Sequence, residues 1–339
     1  MSKKETAIFW NTARTYLDHH LKEIRQVSMN TVESYRNCLN CFIDYLENEI
    51  NIKRNAITFN HFDKETLTGY QAWMIKERKL APKTCNLRMT AIRSLLEYAS
   101  QNYLWIMPIY TDACKIVGVT VENKPIEYFE PEETKALLNA PPQNSRTGRR
   151  NKMIFIFMYD TAARVAEVLH VRLCDLHLDA KVPYVTLLGK GRKYRNIPLM
   201  EKTVLHLRRY LKEFHNSDMK SESPLFYSRL HGQKHALSSD TLEKLIKKYA
   251  AECAMKGNNM PEDSHCHMLR KTRAMDLYLS GVPLTHIQQL LGHEHISTTS
   301  GFYSFVTLDV LAKEMEKINP DAGVRKWDDP QIQEMLYRL

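Results

Sequence analysis

Val182-Pro-Tyr-Val-Thr-Leu-Leu-Gly-Lys-Gly-Arg-Lys-Tyr-Arg-Asn-Ile-Pro-Leu199 is the stretch that decides the fold class. Two strand-like runs, 182–188 and 194–199, are joined by Gly189-Lys-Gly-Arg-Lys193, a hairpin signal with glycine at the tip and three cations on it. The flanking segments read as helices. Upstream are the apolar run Met153–Tyr159 and Val165-Ala-Glu-Val-Leu-His-Val171; downstream are Met268–Leu279, stopped by Gly281, and Leu284–Leu291, stopped by Gly292. The expectation is a mainly α domain that carries a small antiparallel sheet.

Further towards the start, residues from about 5 to 110 read as almost wholly helical. Val32, Tyr35, Leu39, Phe42, Ile43 and Leu46 recur at intervals of three and four; Pro82 interrupts the pattern, and a second strong helix follows through Ala91, Ile92, Leu95, Leu96 and Ala99. Beyond 110 the periodicity lapses, and then Glu130-Pro-Glu-Glu-Thr134 opens a helix with acid in its first turn. The expected division is a helical domain over 1–112, a linker over 113–128, a second domain over 129–320 and a tail over 321–339. Residues 141–152, Pro-Pro-Gln-Asn-Ser-Arg-Thr-Gly-Arg-Arg-Asn-Lys, read as an exposed basic loop that could face a polyanion. Helix resumes at Leu308–Ile318 and breaks at Asn319-Pro-Asp-Ala-Gly323, after which Ile332, Met335, Leu336 and Leu339 give the tail a short amphipathic helix.

A chain of 339 residues exceeds the usual span of one core, so two domains are expected. Its formal net charge of +9 suits a polyanionic partner without separating DNA from RNA or anionic lipid. No apolar run approaches the roughly 20 residues of a membrane span, and Met-Ser-Lys-Lys-Glu lacks a signal-peptide core, so a cytoplasmic protein is expected. The 7 cysteines are odd in number and scattered, which argues against a disulfide framework. Cys38 and Cys41 share a helix face that points to a core. His265, Cys266, His267, His293 and His295 form a candidate metal cluster, against which stands the separate use of His267 and His293 set out below; no metal is expected.

Six residues carry the chemistry: Arg164, Lys190, His267, Arg270, His293 and Tyr303. Two guanidiniums present planar forks matched to phosphate oxygens, which lysine cannot copy. Attack on a phosphodiester builds charge on the non-bridging oxygens, so preorganised cationic donors are the main catalytic need. A phenol with a pKa of about 10 needs a base or a strongly positive site before it can attack. His267 and Arg270, three apart at a helix start, can converge on one phosphate.

These residues lie in short strings: Ala162-Ala-Arg-Val-Ala-Glu-Val-Leu169, Gly189-Lys-Gly191, His267-Met-Leu-Arg270, Leu291-Gly-His293 and Thr298-Thr-Ser-Gly-Phe-Tyr303. In that order they resemble the tyrosine recombinase, or phage-integrase, family of transposon-type or chromosome-resolving site-specific recombinases. The resemblance covers about residues 10 to 318; Leu80-Ala-Pro-Lys-Thr-Cys-Asn-Leu-Arg88 and Ala91-Ile-Arg-Ser-Leu-Leu96 look like that family's core-binding domain. It implies two domains forming a clamp on double-stranded DNA, cleavage through a covalent 3′-phosphotyrosyl link, and no cofactor, neither ATP nor metal. In these roles Tyr303 is the nucleophile, Arg164 and Arg270 clamp the phosphate, His267 is the base, Lys190 the acid, and His293 a further phosphate contact. Lys83, Arg88, Arg93, Arg192 and Lys193 would touch DNA. Four protomers would act on two sites, integrating, excising or resolving DNA such as a mobile element, with the tail helix docking in a neighbour.

One departure matters. The family spacing Thr-Thr-x-x-Tyr puts Phe302 at the nucleophile position; one extra residue precedes Tyr303, and Gly301 can absorb it in the turn. Two other readings stay open, a type IB topoisomerase-like relaxing enzyme and a catalytically silent DNA-binding regulator, the latter favoured by Phe302.

Overall fold

The computed structural model describes residues 3–122, 126–189, 193–215, 222–230 and 233–292. Arg192, His293, His295, Tyr303, Lys190 and the tail after Asn319 therefore lie outside the described residues. The chain divides into two compact units, Met1–Lys124 and Pro125–Leu339.

The first unit is helical. α1 (Lys3–Thr15) runs on into a wider π-type segment, Tyr16–Ile24, and is followed by α2 (Met29–Asn48), α3 (Lys64–Lys76), α4 (Pro82–Asn102) and α5 (Met107–Cys114). Local chemistry sets the ends. Ser28 Oγ accepts from Thr31 N at 3.2 Å to start α2, and Asp63 accepts from Thr66 N at 2.9 Å to start α3. Pro82 does not break a helix; it occupies the first turn of α4, where its missing N–H costs nothing. α4 packs on α2, α3 and α5. Phe9, Phe42, Phe59, Phe62 and Tyr70 are buried in this core with Ile92, Leu95 and Leu96, each large apolar side chain worth about 1.5–3 kcal/mol of burial.

Ordered structure continues past α5 into the stretch expected as linker. Asn86 on α4 both donates to Val119 O and accepts from Val119 N, at 2.9 and 2.8 Å. Residues up to Val119 are thus held against the helical unit.

The second unit contains α6 (Pro131–Asn139), α7 (Arg146–Thr161), α8 (Val165–His170), α9 (Glu201–Phe214), α10 (Ser239–Met255), α11 (Cys266–Leu279) and α12 (Leu284–Leu291). Its three-stranded antiparallel sheet has the order β1 (Leu176–His177), β2 (Tyr184–Leu188), β3 (Tyr194–Pro198). β2 and β3 pair as the sequence led one to expect, and Gly189 N donates to Lys193 O at 2.8 Å just before the turn residues. Val185, Leu187 and Ile197 face the core, the alternation of a half-buried sheet. A second two-stranded ribbon pairs β4 (Tyr227–Leu230) with β5 (Gln233–Ala236) and goes beyond the expected single sheet.

The expected basic loop at 141–152 is a correction. Ser145 caps α7 through Gly148 N at 3.0 Å, so the helix begins inside that segment. Gly148 is there because a Cβ would lie 1.9 Å from Pro142 O. Arg149 forks onto Glu213 of α9 at 2.7–3.0 Å, and Arg150 donates to Tyr227 O at 3.2 Å. Both arginines work inside the unit.

Candidate active site

α7 ends at Ala162, a buried alanine held at φ 49°. A left-handed residue with a Cβ costs roughly 1–2 kcal/mol, and this one turns the chain so that Arg164 falls at the N-terminus of α8. There Arg164 N donates to Glu167 Oε2 at 2.7 Å, and its Nη1 donates to Glu167 Oε1 at 2.9 Å. Arg164 Nη2 lies 3.5 Å from Gly292 O.

Arg270 reaches the same place from α11. The residue is 3% exposed, and its Nη1 and Nη2 donate to Ala162 O at 2.7 Å and Leu291 O at 2.6 Å. Those carbonyls are the C-terminal ends of α7 and α12, where a cation is favoured. Gly292, at φ 62°, ends α12 in the left-handed cap glycine allows. Arg164 and Arg270 are therefore brought together at the ends of α7 and α12, and His293 lies outside the described residues.

His267 stands in the first turn of α11, whose start is fixed by Glu243 Oε2 accepting from Cys266 N at 3.0 Å. Its pKa is pushed down to about 4, by the packing around it and then by Arg270, Lys271, His265 and Arg164. The residue is nonetheless exposed to solvent, and the nearby charges of Arg270, Lys271 and Arg164 disfavour its protonated form. The ring is neutral at pH 7, the form that can take a proton. Among the described residues no three His, Cys, Asp or Glu side chains gather as a metal-holding group.

Glu167 is 5% exposed. Burial alone would raise its pKa, but hydrogen bonds from Arg195 and from Arg164 N, with both guanidinium charges, hold it below the usual carboxylate range. Arg195 on β3 was given no role by sequence reasoning. It donates to Glu167 Oε1 and Oε2 at 2.8 and 2.7 Å and through Nε to Leu290 O at 3.0 Å. One signal could have found it: strand periodicity puts Arg195 on the same face as Ile197 and Leu199, both buried, and a guanidinium on an apolar face needs a partner.

The expected DNA contacts have unlike surroundings. Lys83 is exposed in the first turn of α4. Arg88 is half-buried, with Nη1 2.8 Å from Cys41 Sγ. Arg93 donates to Ala113 O at 3.0 Å and Ile116 O at 2.6 Å, closing the end of α5. Lys193 is exposed beside the hairpin turn. Arg192 and Lys190 lie outside the described residues. No described helix is long and apolar enough to cross a membrane.

Comparison with known proteins gives the family. Residues 127–307 match the phage integrase family and residues 12–112 match the phage integrase SAM-like domain. Tyrosine recombinase XerC of Staphylococcus epidermidis is 28% identical over 89% of this chain and 95% of its own length. Tyrosine recombinase XerD of Halalkalibacterium halodurans is 30% identical over 85% and 91%. Among solved structures, XerH site-specific recombinase in a post-cleavage complex with palindromic difH aligns with TM-score 0.67 and 20% identity, covering 87% of this chain and 82% of that one. The Tn1549 transposon integrase in complex with transposon right end DNA gives 0.67 and 17%, covering 90% and 98%. These two likenesses are of fold. The relatives are recombinases and integrases and favour neither the topoisomerase nor the silent-regulator reading; by the matched family and the residues gathered at Ala162, Leu291 and Gly292, the chain belongs to the phage integrase family, the tyrosine recombinases.

Proposed function

We propose that this recombinase cuts and rejoins duplex DNA with Tyr303 as nucleophile, and that its two units close around the double helix to do so. The phenolic oxygen bonds to phosphorus while the P–O5′ bond breaks. The phenol proton passes to His267, and Lys190 returns a proton to the departing 5′-oxygen. Arg164 and Arg270 hold the non-bridging oxygens as charge builds there, and His293 adds a hydrogen bond. A 5′-hydroxyl from a second strand then reverses the step and releases the tyrosine. The phosphoester energy is retained in the enzyme link, so no ATP or metal enters the scheme.

The observation that carries this reading is that Arg164 and Arg270, 106 positions apart by their numbering in the chain, reach adjacent carbonyls beside a neutral His267. In the free protein backbone oxygens occupy the donors that phosphate oxygens would take.

Lys83 and Arg88 touch the DNA backbone from the helical unit, with Arg192 and Lys193 beside the hairpin. Arg93 serves α5 instead. Four protomers work on two sites in the cytoplasm, and the tail helix over 321–339 seats in a neighbouring copy. Domain limits follow the helical unit, a short connector and the recombinase unit. Whether the reaction integrates, excises or resolves a mobile element depends on DNA sites that the chain does not encode.

The test is a nicked suicide substrate that traps the covalent complex. Wild-type protein should yield an adduct and Tyr303→Phe none; an adduct that persists in Tyr303→Phe and vanishes in a further variant would move the nucleophile elsewhere. Plasmid relaxation without a specific site would favour the topoisomerase-like alternative.

A further inference from the structure

Arg195 ties together three parts of the second unit. Its two terminal nitrogens fork onto both oxygens of Glu167 on α8, its Nε donates to Leu290 O near the end of α12, and its backbone pairs with Leu187 of β2. The packing around it is tight. A Cβ on Gly292 would lie 3.2 Å from Arg195 Cδ, and one on Gly189 would lie 3.1 Å from its Nη1. Its side chain is 13% exposed and that of Glu167 4%, whereas that of Arg164 is 36% exposed. The more open of the two guanidiniums is the one assigned to phosphate.

Each oxygen of Glu167 takes one bond from each arginine: Oε1 from Arg164 Nη1 and Arg195 Nη1, Oε2 from Arg164 N and Arg195 Nη2. A buried carboxylate offsets its desolvation only when well-placed cations and further hydrogen bonds satisfy its lone pairs. With Arg195 filling one side of the carboxylate, Arg164 is oriented by Glu167 without being consumed by it.

We propose that Arg195 is a positioning residue of the strand-cleavage reaction, acting through Glu167 to set the orientation and availability of the Arg164 guanidinium. This rests on the recombinase reading above. Arg195 touches no DNA in this scheme. Misplacement of a clamp by about 1 Å costs roughly 100-fold in rate, and that is the expected loss in Arg195→Met.

The measurement is the single-turnover rate of adduct formation on the suicide substrate at saturating protein, for wild type, Arg195→Met, Arg195→Lys, Glu167→Gln and the Arg195→Met/Glu167→Gln pair. Each is repeated with a methylphosphonate at the scissile position, where a neutral methyl replaces one non-bridging oxygen and reduces the charge that Arg164 must meet. Arg195→Met should lose about 100-fold on the phosphodiester and only a few-fold on the methylphosphonate. Arg195→Lys keeps the charge but cannot fork; it should fold as wild type, bind DNA equally and fall between the two. The double variant should be no slower than the slower single one. An equal loss on both substrates, no loss in Arg195→Lys and Arg195→Met, or strictly additive losses would each overturn the proposal. If wild type itself forms no adduct, the recombinase reading fails, a result distinct from these.

Discussion

Arg164 Nη2 and Arg270 Nη2 meet consecutive carbonyls, Gly292 O at 3.5 Å and Leu291 O at 2.6 Å. The two side chains come from α8 and α11, and what brings them together is the end of α12. The helix supplies a cluster of electron-rich oxygens at its C-terminus, and two guanidiniums gather on it.

Their unequal burial predicts unequal effects on stability. Arg270 is nearly inaccessible and closes two helix ends, so Arg270→Met should lower unfolding free energy by about 2–4 kcal/mol, the range for losing charged hydrogen bonds to buried acceptors. Arg164→Met leaves Glu167 still paired with Arg195 and should cost about 1 kcal/mol or less. Urea unfolding of the two variants checks the order, which a smaller loss for Arg270→Met would reverse.

The depressed pKa of His267 gives a pH signature. An unfolded imidazole titrates near 6.5, and His267 in the folded protein near 4. Between those values the unfolded chain binds a proton that the folded one declines, so this contribution is complete above pH 6.5 and fades as pH falls towards 4. Tm measured from pH 7.5 to 4.5 should therefore drop less in His267→Gln than in wild type. Parallel curves would mean that the ring is not held neutral.

Salt dependence separates the cations of α4. Lys83→Gln should reduce the slope of log affinity against log salt by about 0.9, one phosphate contact. Arg93→Met should leave the slope unchanged while destabilising the helical unit by about 2 kcal/mol, because two carbonyls at the end of α5 lose their donor. Fluorescence anisotropy on labelled duplex at several salt concentrations measures the first effect, and thermal melting the second.

Gly148 offers a packing test. Its missing Cβ leaves room for Pro142 O, so Gly148→Ala must move either the start of α7 or the loop before it. We expect a loss of about 1–3 kcal/mol where an ordinary exposed helical Gly→Ala change would stabilise. A variant as stable as wild type would show that the loop yields freely.

Much of this was legible because it is local. The hairpin, the cap at Gly292 and the acidic start of α6 each depend on neighbours within a few residues, and so does the spacing of His267 and Arg270. Arg164 and Arg270 could be singled out as candidates because their types suit phosphate. Arg195 was not, since its role depends on Glu167, 28 positions away, and on Leu290, 95 away. Arg93 is the opposite case: a cation on a helix in a basic protein suggests nucleic acid, while the carbonyls it meets come from chain 20 and 23 residues further on. The early start of α7 was hidden because Ser145, Thr147 and Gly148 read as turn formers when their capping partners are not known.

Glu167 precedes the hairpin and Arg195 lies within it, so a hybrid enzyme made by exchanging segments with a relative inherits the two from one parent only if the junction avoids residues 168–194. A seam placed there would join an acid and a base shaped in different ancestors. Such hybrids should work only when the donor also carries a forked base at the same strand position, a practical rule for recombining these enzymes to reach new DNA sites.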